Sequence, residues 1–347
     1  MTPNSHSRGA SQAQARRRRG LPGRVSSIWS SPFLVACLAL APANVHAQTT
    51  TPSPQLELPQ TGALDDQFAA VGDPAIARLV AAREWAALAS LCERRIAEKE
   101  INESVYYWLG VARYQLRDAI ASVQALRTSE KLGNDSAALH RALGLAYYSL
   151  NQFLLFQAQM ERASAKAPAD YLPKYFVGLY YLSVRSDTAT ATNYFVQAVS
   201  LNPQDWKSLY QLGVCYENAG KVDNAREAYT KAIQLQVPNA SASAWPLQGM
   251  ARILATTSPP EAIGYAERAV ASDPSEASSH LVLAKLYEQT GKTAAALEQA
   301  KIAVSLSPQN ASGRYLLFRL YKKVGKSSEA EAELKSFQQL SSVYGPE

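Results

Sequence analysis

Residue types return at a spacing of 34 along this chain. Gly291-Lys292 comes back as Gly325-Lys326, Pro274 as Pro308, Ala269 as Ala303, Tyr287 as Tyr321 and Ala296 as Ala330. Nearer the N-terminus the same step links Tyr147 to Tyr181 and Ala198 to Ala232. A period of this size constrains the fold more than any other feature of the sequence. One unit is too short to close a core, since chains below about 40 residues bury too little apolar surface to fold alone. Each unit must therefore complete its core against the units before and after it.

Within a unit the apolar spacing is helical. Leu209, Leu212, Gly213 and Tyr216 fall at the offsets of one helix face, and Ala225, Ala228, Tyr229 and Ala232 form a second such face. Small residues at Gly213 and Ala225 let the two helices approach, and aromatic residues fill the space beside them. Gly220 follows the first helix, where a left-handed backbone costs glycine little. Pro203, Pro274 and Pro308 follow second helices and prevent their continuation. Asp73-Pro74 is the first firm helix start. In Ser258-Pro259-Pro260-Glu261 we expect Ser258 to cap a helix, with Glu261 as its reciprocal partner.

The unit Trp206–Asn239, with Leu212-Gly213, Tyr216, Gly220, Ala225, Tyr229 and Ala232, resembles the tetratricopeptide repeat closely. Ala277–Asn310 matches at Leu283, Tyr287, Gly291, Ala296, Ala303 and Pro308. Ala137–Asp170 matches at Leu143, Gly144, Tyr147, Ala163 and Pro168 but departs at Phe156, where the family prefers Ala. Weaker units fill 103–136, 171–205, 240–276 and 311–344, behind a degenerate helical cap at 73–102. The resemblance implies an all-α fold, a right-handed superhelical solenoid of antiparallel helix pairs.

The formal charge of +6 does not mark a nucleic-acid binder. Residues 1–47 hold six arginines and no acid, and the other 29 basic residues are balanced by 29 acidic ones. No excess remains to displace counterions from a phosphate backbone. The arginines precede an apolar run, Phe33–Ala41, and Val45-His46-Ala47 provides small residues before a cut. Residues 1–47 therefore read as a signal peptide cleaved before Gln48, giving a periplasmic or secreted protein. The alternative is lipid anchoring at Cys37, within Leu34-Val35-Ala36-Cys37, the only route by which we expect a membrane association. Residues 48–72, rich in Thr, Pro and Gln, read as a flexible linker.

No catalytic constellation emerges. HExxH, CxxC, GxSxG and GxGxxG are absent. Beyond residue 47 the two histidines, His140 and His280, occupy the same position of units four repeats apart, where the family uses a large packing residue. Gly291-Lys292-Thr293 lacks the upstream glycine of a phosphate loop, because Leu286 stands there. We expect a non-catalytic protein, without cofactor or metal, that binds a protein or peptide. In the family, partners lie in a concave groove lined by the first helices. Carried onto this chain, that groove presents Tyr107, Tyr114, Arg141, Tyr148, Tyr175, Tyr210 and Tyr315, with Lys285, Glu288 and Arg319 toward the C-terminus. Tyrosine suits such a surface, offering a rigid apolar ring with one polar tip. The family's clamp for chaperone tails needs Lys and Asn at positions 5 and 9 of one unit, and no unit here has that pair.

Overall fold

The computed structural model describes residues 73–236 and 243–344, with no side-chain account of 343 and 344. The expected signal peptide, the linker, Pro238 and Asn239 lie outside the described residues. Sixteen helices follow one another there, with no strand among the described residues. They are α1 (Pro74–Ala81), α2 (Trp85–Ala97), α3 (Glu103–Gln115), α4 (Ala119–Lys131), α5 (Ala137–Ser149), α6 (Phe153–Lys166), α7 (Leu172–Ser183) and α8 (Thr188–Leu201). The series continues with α9 (Trp206–Asn218), α10 (Val222–Leu235), α11 (Trp245–Leu254), α12 (Pro259–Ser272), α13 (Ala277–Gln289), α14 (Thr293–Leu306), α15 (Ala311–Lys323) and α16 (Ser327–Tyr344). Odd-numbered helices pack against the even-numbered helix that follows, and each pair packs on the next. First helices also touch the first helix of the next repeat, as in α3–α5, α9–α11, α11–α13 and α13–α15. The chain is thus an all-α stack of consecutive helix pairs.

Local chemistry fixes where each helix begins. Asp73 accepts from the Ala75 and Ile76 amides at 2.9 and 3.2 Å. Asn102, Ser136, Asp205 and Asn310 likewise cap first helices, accepting from Val105, Leu139, Ser208 and Gly313. The expected capping box at Ser258 does not form. Ser258 precedes α12, but its side chain makes no capping hydrogen bond. Pro260, at the second helical position, has no amide, so one of the two amides that a cap side chain serves is missing.

The turn inside seven of the eight described pairs, all but α11–α12, uses one device. Gly220, Gly291 and Gly325 have φ of 70, 77 and 76°. Each is followed by a residue whose amide bonds back across the turn, as Lys221 does to the Tyr216 carbonyl at 2.9 Å. Arg83, Arg117, Asn151 and Ser186 hold the same left-handed conformation at the equivalent places without being glycine. The N-terminal repeats thus keep the geometry despite a steric cost that glycine would avoid. After α6, α8, α12 and α14 the chain is extended at Ala167, Asn202, Asp273 and Ser307, each directly before a proline that restricts it to that region.

The helices of a pair meet at a glycine. A Cβ placed on Gly110 would lie 2.5 Å from Leu126, and on Gly144 2.8 Å from Met160. On Gly178 it would lie 2.8 Å from Phe195, and on Gly213 2.5 Å from Tyr229. Gly249, on the next first helix, meets the same Tyr229 ring at 2.6 Å, so one aromatic side chain is gripped between α9 and α11. Leu126, Phe195 and Tyr229 are fully buried. The core built this way passes from repeat to repeat as successive apolar clusters.

The two described cysteines, Cys92 and Cys215, are free and fully buried. Burial raises each thiol from 9.0 to about 12. A thiol harder to ionise in the folded chain than in the unfolded one supports the fold fully below about pH 9. That support is lost as pH climbs toward 12.

Two outcomes follow from this packing. Gly213→Leu drives atoms into the Tyr229 ring and lowers stability by about 1–3 kcal/mol in a denaturant melt, whereas Arg117→Gly, at a strained turn, raises it by roughly 0.5–1 kcal/mol. Peptides containing Cys92 and Cys215 stay unlabelled by iodoacetamide in the native chain near neutral pH, and label fully in urea.

Candidate functional site

The face formed by the first helices is a ladder of side chains that join each first helix to the next. Tyr148 on α5 places its hydroxyl 3.4 Å from Ser183 Oγ on α7. Tyr114 on α3 meets Ser149 on α5 in the same way, and that hydroxyl partly offsets the rise that burial gives the Tyr114 phenol. At the α9–α11 step an ion pair takes over. Arg252 donates from Nε and Nη2 to the two Glu217 carboxylate oxygens, both at 2.9 Å, and the Tyr229 hydroxyl donates to Glu217 Oε2 at 2.6 Å. Burial opposes the Arg252 charge, but Glu217 outweighs it and holds the guanidinium protonated beyond its ordinary range. Further along, Gln289 on α13 donates to the Ala255 carbonyl at 3.0 Å, and Arg319 on α15 to Glu288 on α13 at 2.7 Å.

The seven residues expected on this face divide by burial. Tyr107, Arg141 and Tyr210 are buried. The Tyr107 ring stands edge-on to Trp108 at 5.1 Å. Arg141 pairs with Asp170, whose other oxygen accepts from the Leu172 amide at the start of the next repeat. Tyr210 lies between the Tyr229 ring at 5.9 Å and the Trp245 ring at 5.8 Å. Their side chains go into packing between repeats. Tyr114, Tyr148 and Tyr175 are half-buried. Tyr148 packs edge-on against Phe153 and Phe156 at 5.6 and 5.3 Å. Burial and then the Asp205 carboxylate push the Tyr175 phenol well above its usual range. Tyr315 is 42% exposed, beside Phe318 and Phe337 and beneath the Arg319 guanidinium.

The histidines are packing residues with a shared geometry. His140 Nδ1 is 2.7 Å from Gln159 Oε1, and His280 Nδ1 is 2.7 Å from Gln299 Oε1. The other ring nitrogen meets Asp135 in one repeat and the Pro274 carbonyl in the other. A cavity of about 360 Å³ lies against α10, α11 and α12, and Arg268 is the one ionisable side chain among its lining residues. The described residues contain no group of three or more His, Cys, Asp or Glu arranged to hold a metal ion. No helix among them is long and apolar enough to cross a membrane.

Known proteins share this architecture. Residues 206–236 match the family model described as "Tetratricopeptide repeat". The chain is a tetratricopeptide repeat protein. Residues 258–337 of this tetratricopeptide chain also match the model described as "Anaphase-promoting complex, cyclosome, subunit 3". The chain is 26% identical to the BBSome complex member BBS4 of Mus musculus over 105 residues, 30% of this chain and 20% of that one. In structure it is similar to the APC/C hetero-tetramer Cut9-Hcn1, with a TM-score of 0.60 at 15% identity, over 71% of this chain and 48% of the other. A tetratricopeptide repeat protein from Parabacteroides merdae aligns with a TM-score of 0.55 at 15% identity, over 69% of this chain and 93% of that one. The chain thus spans about a fifth of BBS4 and about half of the APC/C chain. The fold is of the protein–protein interaction kind.

Sequence position alone missed Ser149, Ser183 and Arg252, the far ends of the ladder's rungs. A signal was present: each lies 35 residues after its partner, Tyr114, Tyr148 and Glu217. Glu217→Gln removes the charge from a bidentate pair that also receives the Tyr229 hydroxyl. We expect it to cost roughly 2–3 kcal/mol in a thermal or urea melt, and Glu217→Gln combined with Arg252→Met to restore part of that loss.

Proposed function

We propose that this protein is a non-catalytic scaffold that holds an extended peptide or an amphipathic helix of a protein partner on its first-helix face. The observation that carries this reading is the run of half-buried tyrosines, Tyr114, Tyr148 and Tyr175, on successive first helices. Each ring is braced by its neighbours, so little conformational freedom is lost when a partner covers it. The similarity to a BBSome complex member and to an anaphase-promoting complex subunit model supports a role inside a larger assembly. No described group of titratable residues competes with that reading by offering a reaction centre.

The composition of residues 1–47 supports export to the cell envelope, with cleavage before Gln48 and a periplasmic or secreted location. A second reading, favoured by Leu34-Val35-Ala36-Cys37, is a lipid-anchored assembly factor for a pilus or outer-membrane complex. Mass measurement of the mature N-terminus separates the two: Gln48 at the start supports the soluble exported form, and an acylated Cys37 the anchored one. For the scaffold itself, partner proteins captured from envelope fractions are lost by about tenfold from Tyr148→Ala, the size expected of one aromatic anchor. Capture unchanged by Tyr148→Ala and Tyr114→Ala together overturns the assignment of the face.

A further inference from the structure

The charges on the C-terminal first helices follow an order that one step breaks. Glu217 faces Arg252 across α9–α11, and Glu288 faces Arg319 across α13–α15. Between them, at α11–α13, two contacts fix the register. Gln248 meets Ser278 and Ser279 at one end, and Gln289 donates to the Ala255 carbonyl at the other. Inside that frame, on the stretches it joins, stand Arg252 on α11 and Lys285 on α13, both cations. Lys285 has no ion-pair or hydrogen-bond partner among the described residues, and its side chain is half-buried. The nearby carboxylates are already used, Glu217 by Arg252 and Tyr229, and Glu288 by Arg319.

The electrostatics agree with the geometry. Burial lowers the Lys285 ammonium from its ordinary range, and the fields of Arg252 and Arg319 add to that, each exceeding the opposing field of Glu288. A half-buried lysine without an ion-pair partner, on a stretch of α13 held in register against α11, leaves room for an anion that the described residues do not supply.

We infer that the α11–α13 step is a carboxylate-receiving slot, and that the partner lying on the first-helix face offers a Glu or Asp side chain to Lys285 beside Arg252. This rests on the scaffold reading and adds the chemistry of the partner to it: an apolar or aromatic stretch for the tyrosines, followed by an acid. It differs from the chaperone-tail clamp, because the two cations come from different repeats and no asparagine takes part. Charge complementarity names the occupant: a neutral or basic segment would leave the like charges facing one another, and an acid completes the ladder.

The test uses the full chain and two fluorescein-labelled extended peptides of the same Leu- and Tyr-containing sequence, one with a central Glu and one with a central Gln, read by anisotropy. The expected result is roughly tenfold tighter binding of the Glu peptide, a difference that shrinks in high salt. Lys285→Met, which keeps the apolar stem, equalises the two peptides. Lys285→Glu removes the Glu preference and raises the melting midpoint, because the new carboxylate fills the slot from within. Equal binding of both peptides to the wild-type chain, or a Glu preference that survives Lys285→Met in a folded variant, overturns the slot while leaving the scaffold standing. Binding of neither peptide removes both readings. Sodium acetate that raises the wild-type midpoint as well as the Glu peptide does, and leaves the Lys285→Met midpoint unmoved, overturns the peptide assignment in favour of a free anion.

Discussion

The contact on which this structure depends is that of a large side chain seated on a helical glycine. At Gly110, Gly144, Gly178 and Gly213 the absence of a Cβ lets Leu126, Met160, Phe195 and Tyr229 press against the first helix of their own pair. This brings the two helices close enough to exclude water, and the apolar area covered supplies the main stabilising term. At Tyr229 the same ring also meets Gly249 of the following repeat. One residue there sets both the geometry within a pair and the contact between pairs. A stack made of such contacts gains its stability from neighbours, so each repeat is ordered chiefly by the one beside it.

That dependence shapes what the first-helix face can present. A side chain on it has two uses, joining one first helix to the next or meeting a partner. Tyr210 and Arg141 are committed to the first, through the Trp245 ring and through Asp170. Tyr148 is placed for both, with its hydroxyl near Ser183 and the residue half-buried. The face changes character along the stack. Its N-terminal steps are joined by tyrosine and serine, and its C-terminal steps α9–α11 and α13–α15 by ion pairs, so a partner that follows it meets aromatic surface and then charge. Fold alone does not select a ligand; this order of surface chemistry is what would.

The left-handed turn residues show how one backbone requirement can be met in different ways. In the C-terminal repeats glycine meets it, and the sequence displays it openly as Gly-Lys. In the N-terminal repeats Arg83, Arg117, Asn151 and Ser186 adopt the same conformation, with the surrounding packing carrying the cost. Glycine marks three of the seven such turns. The same limit applied to Ser258, where a capping pattern was present in the letters but Pro260 lacks one of the two amides the cap would have served.

The sequence by itself determined that the chain is a stack of helix pairs, because a helical apolar period nested in a 34-residue period has no other way to cover its apolar faces. It also determined the helix start at Asp73, since capping is decided within a few residues of chain. Only the tertiary structure decided which face positions are sealed and which stay open. Tyr107 and Tyr148 look alike as letters and differ in burial, because exposure is set by neighbours one repeat away. The pairing of Glu217 with Arg252, and the absence of such a partner for Lys285 among the described residues, was likewise settled only by the packing. The repeat length varies near residue 240, and the register between first helices exists only once the helices have packed.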